Sequence, residues 1–182
     1  MRVYVPATVA MLQKLVAERE LTPVSRTAFA VTPALREAYH SGDDDELSEV
    51  AMAEAARASL RLLAAEASEA PEVPETAEAG GTGAGGAPRF RRAVIAADVP
   101  EAKHRPDLDD AVVRLADVVT LSQVASVHVD LAEAEADVEK AVAVIDAADL
   151  GDEDAEFVLG DAEDHELAWY ATQELPFLLE LL

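Results

Sequence analysis

The chain has 182 residues, is 51% hydrophobic but only 4% aromatic, and sets 37 acidic residues against 14 basic ones, a formal charge of −23. A surface this negative repels phosphate backbones and anionic lipid headgroups, because counterion release and membrane attraction both need clustered Lys and Arg. DNA and membrane partners are therefore excluded, RNA is disfavoured, and with no cysteine in the chain disulfides, thiolate metal sites and thiol nucleophiles drop out together.

Such a length fits a single domain, 1–182, with an insert, and its core must be packed from Ala, Val and Leu. The charge is uneven. Of the acidic residues 34 follow residue 40, so the first forty residues carry +2, from five Arg or Lys against three Glu, and the rest −25. The opening MRVYVP has no apolar signal core, and no run approaches the roughly 18 apolar residues that span a bilayer, so the protein is expected to be cytoplasmic.

Val3 to Val5 reads as a short buried strand that Pro6 ends, and Thr8 as the N-cap of a helix whose Val9, Leu12, Leu15 and Val16 share one face. Phe29 and Val31 alternate with small residues over Arg26 to Val31, a strand signal. Thr32-Pro33 then supplies the cap and first-turn proline of a short helix to Tyr39. The polar run Ser41 to Asp45 opens a long helix to Glu66, because Leu47, Ala51, Ala55, Ala58, Leu62 and Ala65 recur at steps of three and four.

Residues 68–88 hold five of the eight glycines, three prolines and four glutamates, with no Lys, Arg or aromatic residue. So little apolar surface predicts a disordered insert between two ordered blocks, 1–67 and 89–182. About two strands in the first block cannot make a stable sheet alone, so the blocks are expected to share one.

Beyond the insert, Arg91 to Val99 reads as a strand centred on Val94 and Ile95, His104 to Asp110 as loop and Val112 to Ala116 as a strand. Leu121 to Val124 fits a turn or a single helical coil. From Ser126 to Asp130, Val127 and Val129 alternate with Ser126 and His128. Asp130 with Glu133 has the spacing of a capping box, opening a helix through Ala134, Val138, Ala141 and Ile145 that ends near Gly151. Pro176 divides the last segment into a strand over Glu166 to Glu174 and a short helix, one kinked helix being the alternative. This alternation predicts an α/β fold with a single mixed or largely parallel sheet of about five to six strands and flanking helices; a ferredoxin-like α+β sheet is the alternative.

The segments MRVYVPAT, TAFAVTPALREAY, EAARASLRLLAAE, VASVHVD and AEDHELAWYATQELP, in this order, together resemble an actinobacterial family of uncharacterised proteins of unknown function. The resemblance covers both blocks, skips the insert and lends no catalytic residue.

Gly81-Thr82-Gly83-Ala84-Gly85-Gly86 matches the dinucleotide fingerprint letter for letter. Those glycines hold a pyrophosphate only between a strand and a helix N-terminus, whereas here prolines stand on both sides, so no cofactor is expected. The acidic runs Asp43 to Asp45, Asp107 to Asp110 and Asp149 to Asp154 miss the EF-hand register and read as helix ends and caps. Among His40, His104, His128 and His165 no pair has metal-ligand spacing. His165-Glu166 begins like a zincin, but Trp169 stands where the second His belongs. No metal is expected.

Ser126, His128 and Asp130 have the residue types of a triad, yet steps of two along one strand set them in a row. Arg89, Arg91 and Arg92 around Phe90 are the basic cluster through which an RNA would be held. The pattern as a whole leads to a non-enzymatic domain acting through protein contacts, its acidic face toward a basic partner or its sheet edge toward another copy. The alternative is a small hydrolase-type enzyme with its site at the strand carboxyl ends, formed by His128, Asp130 and Glu174.

Overall fold

The computed structural model describes residues 1–39, 41–69 and 90–182. The expectations placed on His40, Gly81 to Gly86, Arg89 and most of the insert 68–88 lie outside the described residues; Ser68 and Glu69 end a helix. In chain order the elements are β1 (Arg2–Ala7), α1 (Val9–Glu18), β2 (Glu20–Leu21), β3 (Thr27–Phe29), α2 (Pro33–Ala38), α3 (Asp44–Glu69), β4 (Ala93–Asp98), β5 (Ala102–His104), β6 (Val112–Leu115), β7 (Val119–Thr120), β8 (Val124–Val129), α4 (Glu135–Asp149), α5 (Glu153–Glu163), β9 (Ala168–Ala171) and α6 (Leu175–Leu181).

Among the described residues seven strands form one sheet in the order β5-β6-β3-β1-β4-β8-β9, and β2 pairs with β7 in a small second one. Every pairing is antiparallel. The expected mixed or largely parallel α/β sheet is therefore wrong, and the element order does not follow the βαββαβ of the ferredoxin-like alternative either. Alternating strands and helices misled because direction depends on what each connection returns to. β3 and β4, joined through α2 and α3, do run the same way, but β1 lies between them and is antiparallel to both, so no parallel pair results. β8 and β9 are joined by two helices in a hairpin, with only Leu150 to Asp152 between them, which brings the chain back reversed.

The expected caps form at Thr8 and Thr32. Thr8 accepts from Met11 N–H at 3.3 Å and Thr32 from Leu35 N–H at 3.1 Å, and Pro33 opens α2. Other expectations are not met. β1 continues through Pro6, which sits opposite Val94 of β4 and beyond Tyr4, the position paired with β3. His104 closes the edge strand β5 instead of opening a loop. The Asp130 carboxylate does not cap α4, whose start is a 3-10 turn over Ala132–Ala134 with no side-chain cap.

Both sheet faces are covered. On one, Val3, Val5, Ile95, Val127 and Val129 pack under Leu12 and Leu15 of α1 and Leu175 and Leu178 of α6. On the other, Tyr4, Phe29, Val94, Ala96 and Val112 pack under Leu35 of α2 and Leu47, Ala51, Ala55 and Ala56 of α3. Further along, α3 stays fastened to the sheet by Ser59, whose Oγ donates to the Ala7 carbonyl at 2.7 Å and accepts from Ala93 N–H at 3.1 Å, while Leu60 and Leu63 turn into a third cluster with Val138, Ala141, Val142 and Ile145 of α4 and Leu159 of α5. Its buried stripe therefore rotates, from 47-51-55 to 56-59-60-63, and Leu62 is left at its margin. Small residues make this possible, since Ala51 and Ala55 let the helix lie close on the strands.

Candidate functional site

Beside α3, toward β8 and the chain after α5, a cavity of about 730 Å³ opens, bounded by Glu49 to Leu60 of α3, by Arg92 and His128 on the strands, and by Glu163 to Leu167. That size lies within the range of small-molecule sites.

Its floor is fixed by one ion pair. Arg92, just before β4, and Asp130, just after β8, are 3% and 1% exposed. Asp130 Oδ2 accepts from the Arg92 backbone N–H and from Nε, and Oδ1 accepts from Nη2, each at 2.8 Å. Nη2 also donates to the His165 carbonyl at 2.8 Å, so the pair anchors the segment after α5 to the sheet. His165 Nε2 lies 2.8 Å from Asp137 Oδ2 of α4, and Arg91 Nε donates to Glu135 Oε1 at 2.6 Å, which ties the same corner to the helices. Burying two charges is repaid only by complete pairing, and here it is complete.

The wall formed by α3 carries Glu54 and Arg57. Arg57 donates to Glu156 at 2.8 Å and to Asp149 at 3.3 Å, and Arg61 grips the same Asp149 at 2.8 Å. These bonds, that to Glu156 foremost, push the Arg57 guanidinium further from deprotonation, while Asp149, held chiefly by Arg61, and Glu156, held by Arg57, are kept below the usual carboxylate range. Glu54 moves the other way. Burial raises its carboxyl above the ordinary 4.5, and the charge of Asp109 adds to this against the opposing Arg57 and Arg61.

A raised folded-state value means that the native protein binds more protons than the unfolded one in the window above 4.5, so stability falls as pH rises through it. Glu54→Gln is accordingly expected to raise Tm at pH 7, by about 1–3 °C. The difference from the wild type should vanish by about pH 4, where the unfolded carboxyl is itself protonated. Thermal unfolding at both pH values checks it; a Tm lowered at pH 7 would contradict it.

On the sheet, His128 lies opposite Val94 and Trp169, with Ser126 Oγ 3.0 Å from its Nε2. Burial, and secondarily the charge of Arg2, lower its pKa, so the imidazole is neutral at pH 7. Of the residues expected at a strand-end site, His128 alone borders the cavity. Asp130 lies beneath the floor with both oxygens held by Arg92. Glu174 is exposed in the 3-10 turn Thr172–Glu174, where it accepts from Ala171 N–H at 2.9 Å. The structure does not bring the three together.

The acidic runs are spent locally: Asp43 and Asp152 cap α3 and α5, Asp107 pairs with Arg105, and Asp149 with Arg57 and Arg61. The basic cluster is neutralised as well, Arg91 by Glu135 and Arg92 by Asp130. Sequence reasoning missed Glu54, Arg57 and Glu163. A signal existed for the first, a carboxylate lodged between Ala51 and Ala55 at the margin of an apolar stripe, but only the placing of α3 beside β8 and the chain after α5 gives it a cavity to face.

No curated protein and no solved structure matches the chain. A family model does match, over residues 1–179 and so across both blocks. The chain belongs to the family of unknown function DUF6912.

Proposed function

We propose that the protein is a non-enzymatic binding module that takes a positively charged group into the cavity between α3 and β8. The supporting observation is the state of the charges around it. Among the described residues Glu49, Glu54, Glu163 and Glu166 border the cavity, while the guanidiniums there, Arg57 and Arg92, are already neutralised by carboxylates, Glu163 only distantly at 3.9 Å from Arg57. His128 adds no positive charge. A cation that meets Glu54 displaces no resident ion pair, at Glu163 it competes only with the 3.9 Å contact to Arg57, and the overall charge of −23 draws it in. The same charge sets aside DNA, RNA and anionic membranes as partners, and a basic protein segment remains the natural one. With no cysteine and the resemblance of its segments, we place the protein in an actinobacterial cytoplasm.

Calorimetric titration of the full chain with arginine amide and with the uncharged citrulline amide tests this. Arginine amide is expected to bind with Kd below about 1 mM, an affinity that falls with added salt, and citrulline amide not to bind. Glu54→Gln should weaken arginine amide severalfold. Equal behaviour of the two compounds, or no binding of either, would overturn the proposal.

A further inference from the structure

The chain has one tryptophan, and it is not in the core. Trp169 lies on the edge strand β9, 61% exposed, directly opposite His128 of β8. Opposed residues of an antiparallel pair project from the same face with Cβ atoms about 4.5–5.5 Å apart, so the indole rises beside the His128 that borders the cavity. The chain leading into β9 supplies Glu166 and Leu167 to the same border. The indole thus stands at the outer edge of a cavity bordered by carboxylates, next to His128 and two residues beyond Leu167 of its border. Core packing does not hold the tryptophan there, since its strand neighbour Tyr170 is the residue that packs into the opposite layer.

We infer that Trp169, at the rim of the cation site, is its specificity-determining residue and that the group it selects is a guanidinium; this rests on the cavity being a cation site. A guanidinium is planar and weakly hydrated, stacks on an aromatic face, and pairs with carboxylates through parallel N–H donors. A primary ammonium or a metal ion keeps its water more tightly and gains less from an indole. Carboxylates at Glu54 and Glu163 and a ring at Trp169 suit the former. The guanidinium arrives either on a free small molecule or on an arginine side chain of a basic partner.

The lone tryptophan is its own reporter. Arginine amide is expected to change Trp169 fluorescence saturably, with the midpoint found by calorimetry, and to bind at least about fivefold more tightly than lysine amide. Trp169→Leu should weaken arginine amide about fivefold and erase the preference over lysine amide, and Trp169→Phe should restore most of both. At so exposed a position neither variant threatens folding. A blocked Gly-Arg-Gly peptide separates the sources: affinity equal to arginine amide points to a partner's side chain, and weaker binding points to a free molecule, both within the guanidinium class. Arginine amide that binds Trp169→Leu as well as wild type, or lysine amide that binds as tightly, would overturn this inference and leave the cation site standing. No calorimetric binding by any of these cations would remove the site itself.

Discussion

Asp130→Ala is expected to lower the unfolding free energy by about 3–5 kcal/mol, the cost of stranding a buried guanidinium without its counter-ion. The Arg92 side chain is 4% exposed and that of Asp130 is fully buried, so water cannot replace the lost carboxylate. Three of the hydrogen bonds at the head of β4 end on Asp130. Urea denaturation of the variant should show the midpoint displaced with little change in slope. The pairing makes a sharper claim in the double variant Arg92→Met/Asp130→Leu. With both charges removed, much of the loss should be recovered, because no charge is then buried unpaired, less the cost of the Arg92 backbone N–H and the His165 carbonyl that lose their partners. A double variant no better than Asp130→Ala would mean that the site needs the ions for something other than mutual neutralisation.

Leu63→Ala and Leu62→Ala should differ sharply although the residues are neighbours on one helix. Leu63 is 1% exposed among the side chains of α3, α4 and α5, and its truncation leaves a cavity in a closed cluster, about 2–5 kcal/mol by the usual cost of such changes. Leu62 lies at the margin of the stripe, half-buried, and its truncation should cost under about 1.5 kcal/mol. Equal losses would show that α3 keeps one straight buried face along its length instead of a face that turns toward α4 and α5.

That pair also marks how far sequence could lead. Periodicity found α3 and the first half of its face, Leu47, Ala51 and Ala55, but extended the same row to Ala58, Leu62 and Ala65. A row continues only while the partner surface stays the same, and here α4 and α5 join the strands as partners from Leu60 onward. Caps were legible at Thr8 and Thr32 because their hydrogen bonds span three residues. Strand direction was not legible, since it depends on β1 lying between β3 and β4, which no local pattern encodes. Asp130 shows the same limit in chemistry. Its spacing to Glu133 spelled a cap, yet Arg92, thirty-eight residues earlier, offers a buried charge-assisted partner that outweighs an exposed backbone N–H. His128 was found from its place on a strand, whereas Glu54 shares a cavity with it only through the packing of α3, and Trp169 stands opposite it only through the β8–β9 register.

A crystal structure of the full chain with arginine amide bound tests the cation site most directly. The guanidinium is expected between α3 and β8, with its N–H groups about 2.7–2.9 Å from the carboxylate oxygens of Glu54 or Glu163 and its plane against Trp169. Density for the ligand anywhere else, with the space beside Glu54 filled by protein side chains, would contradict it.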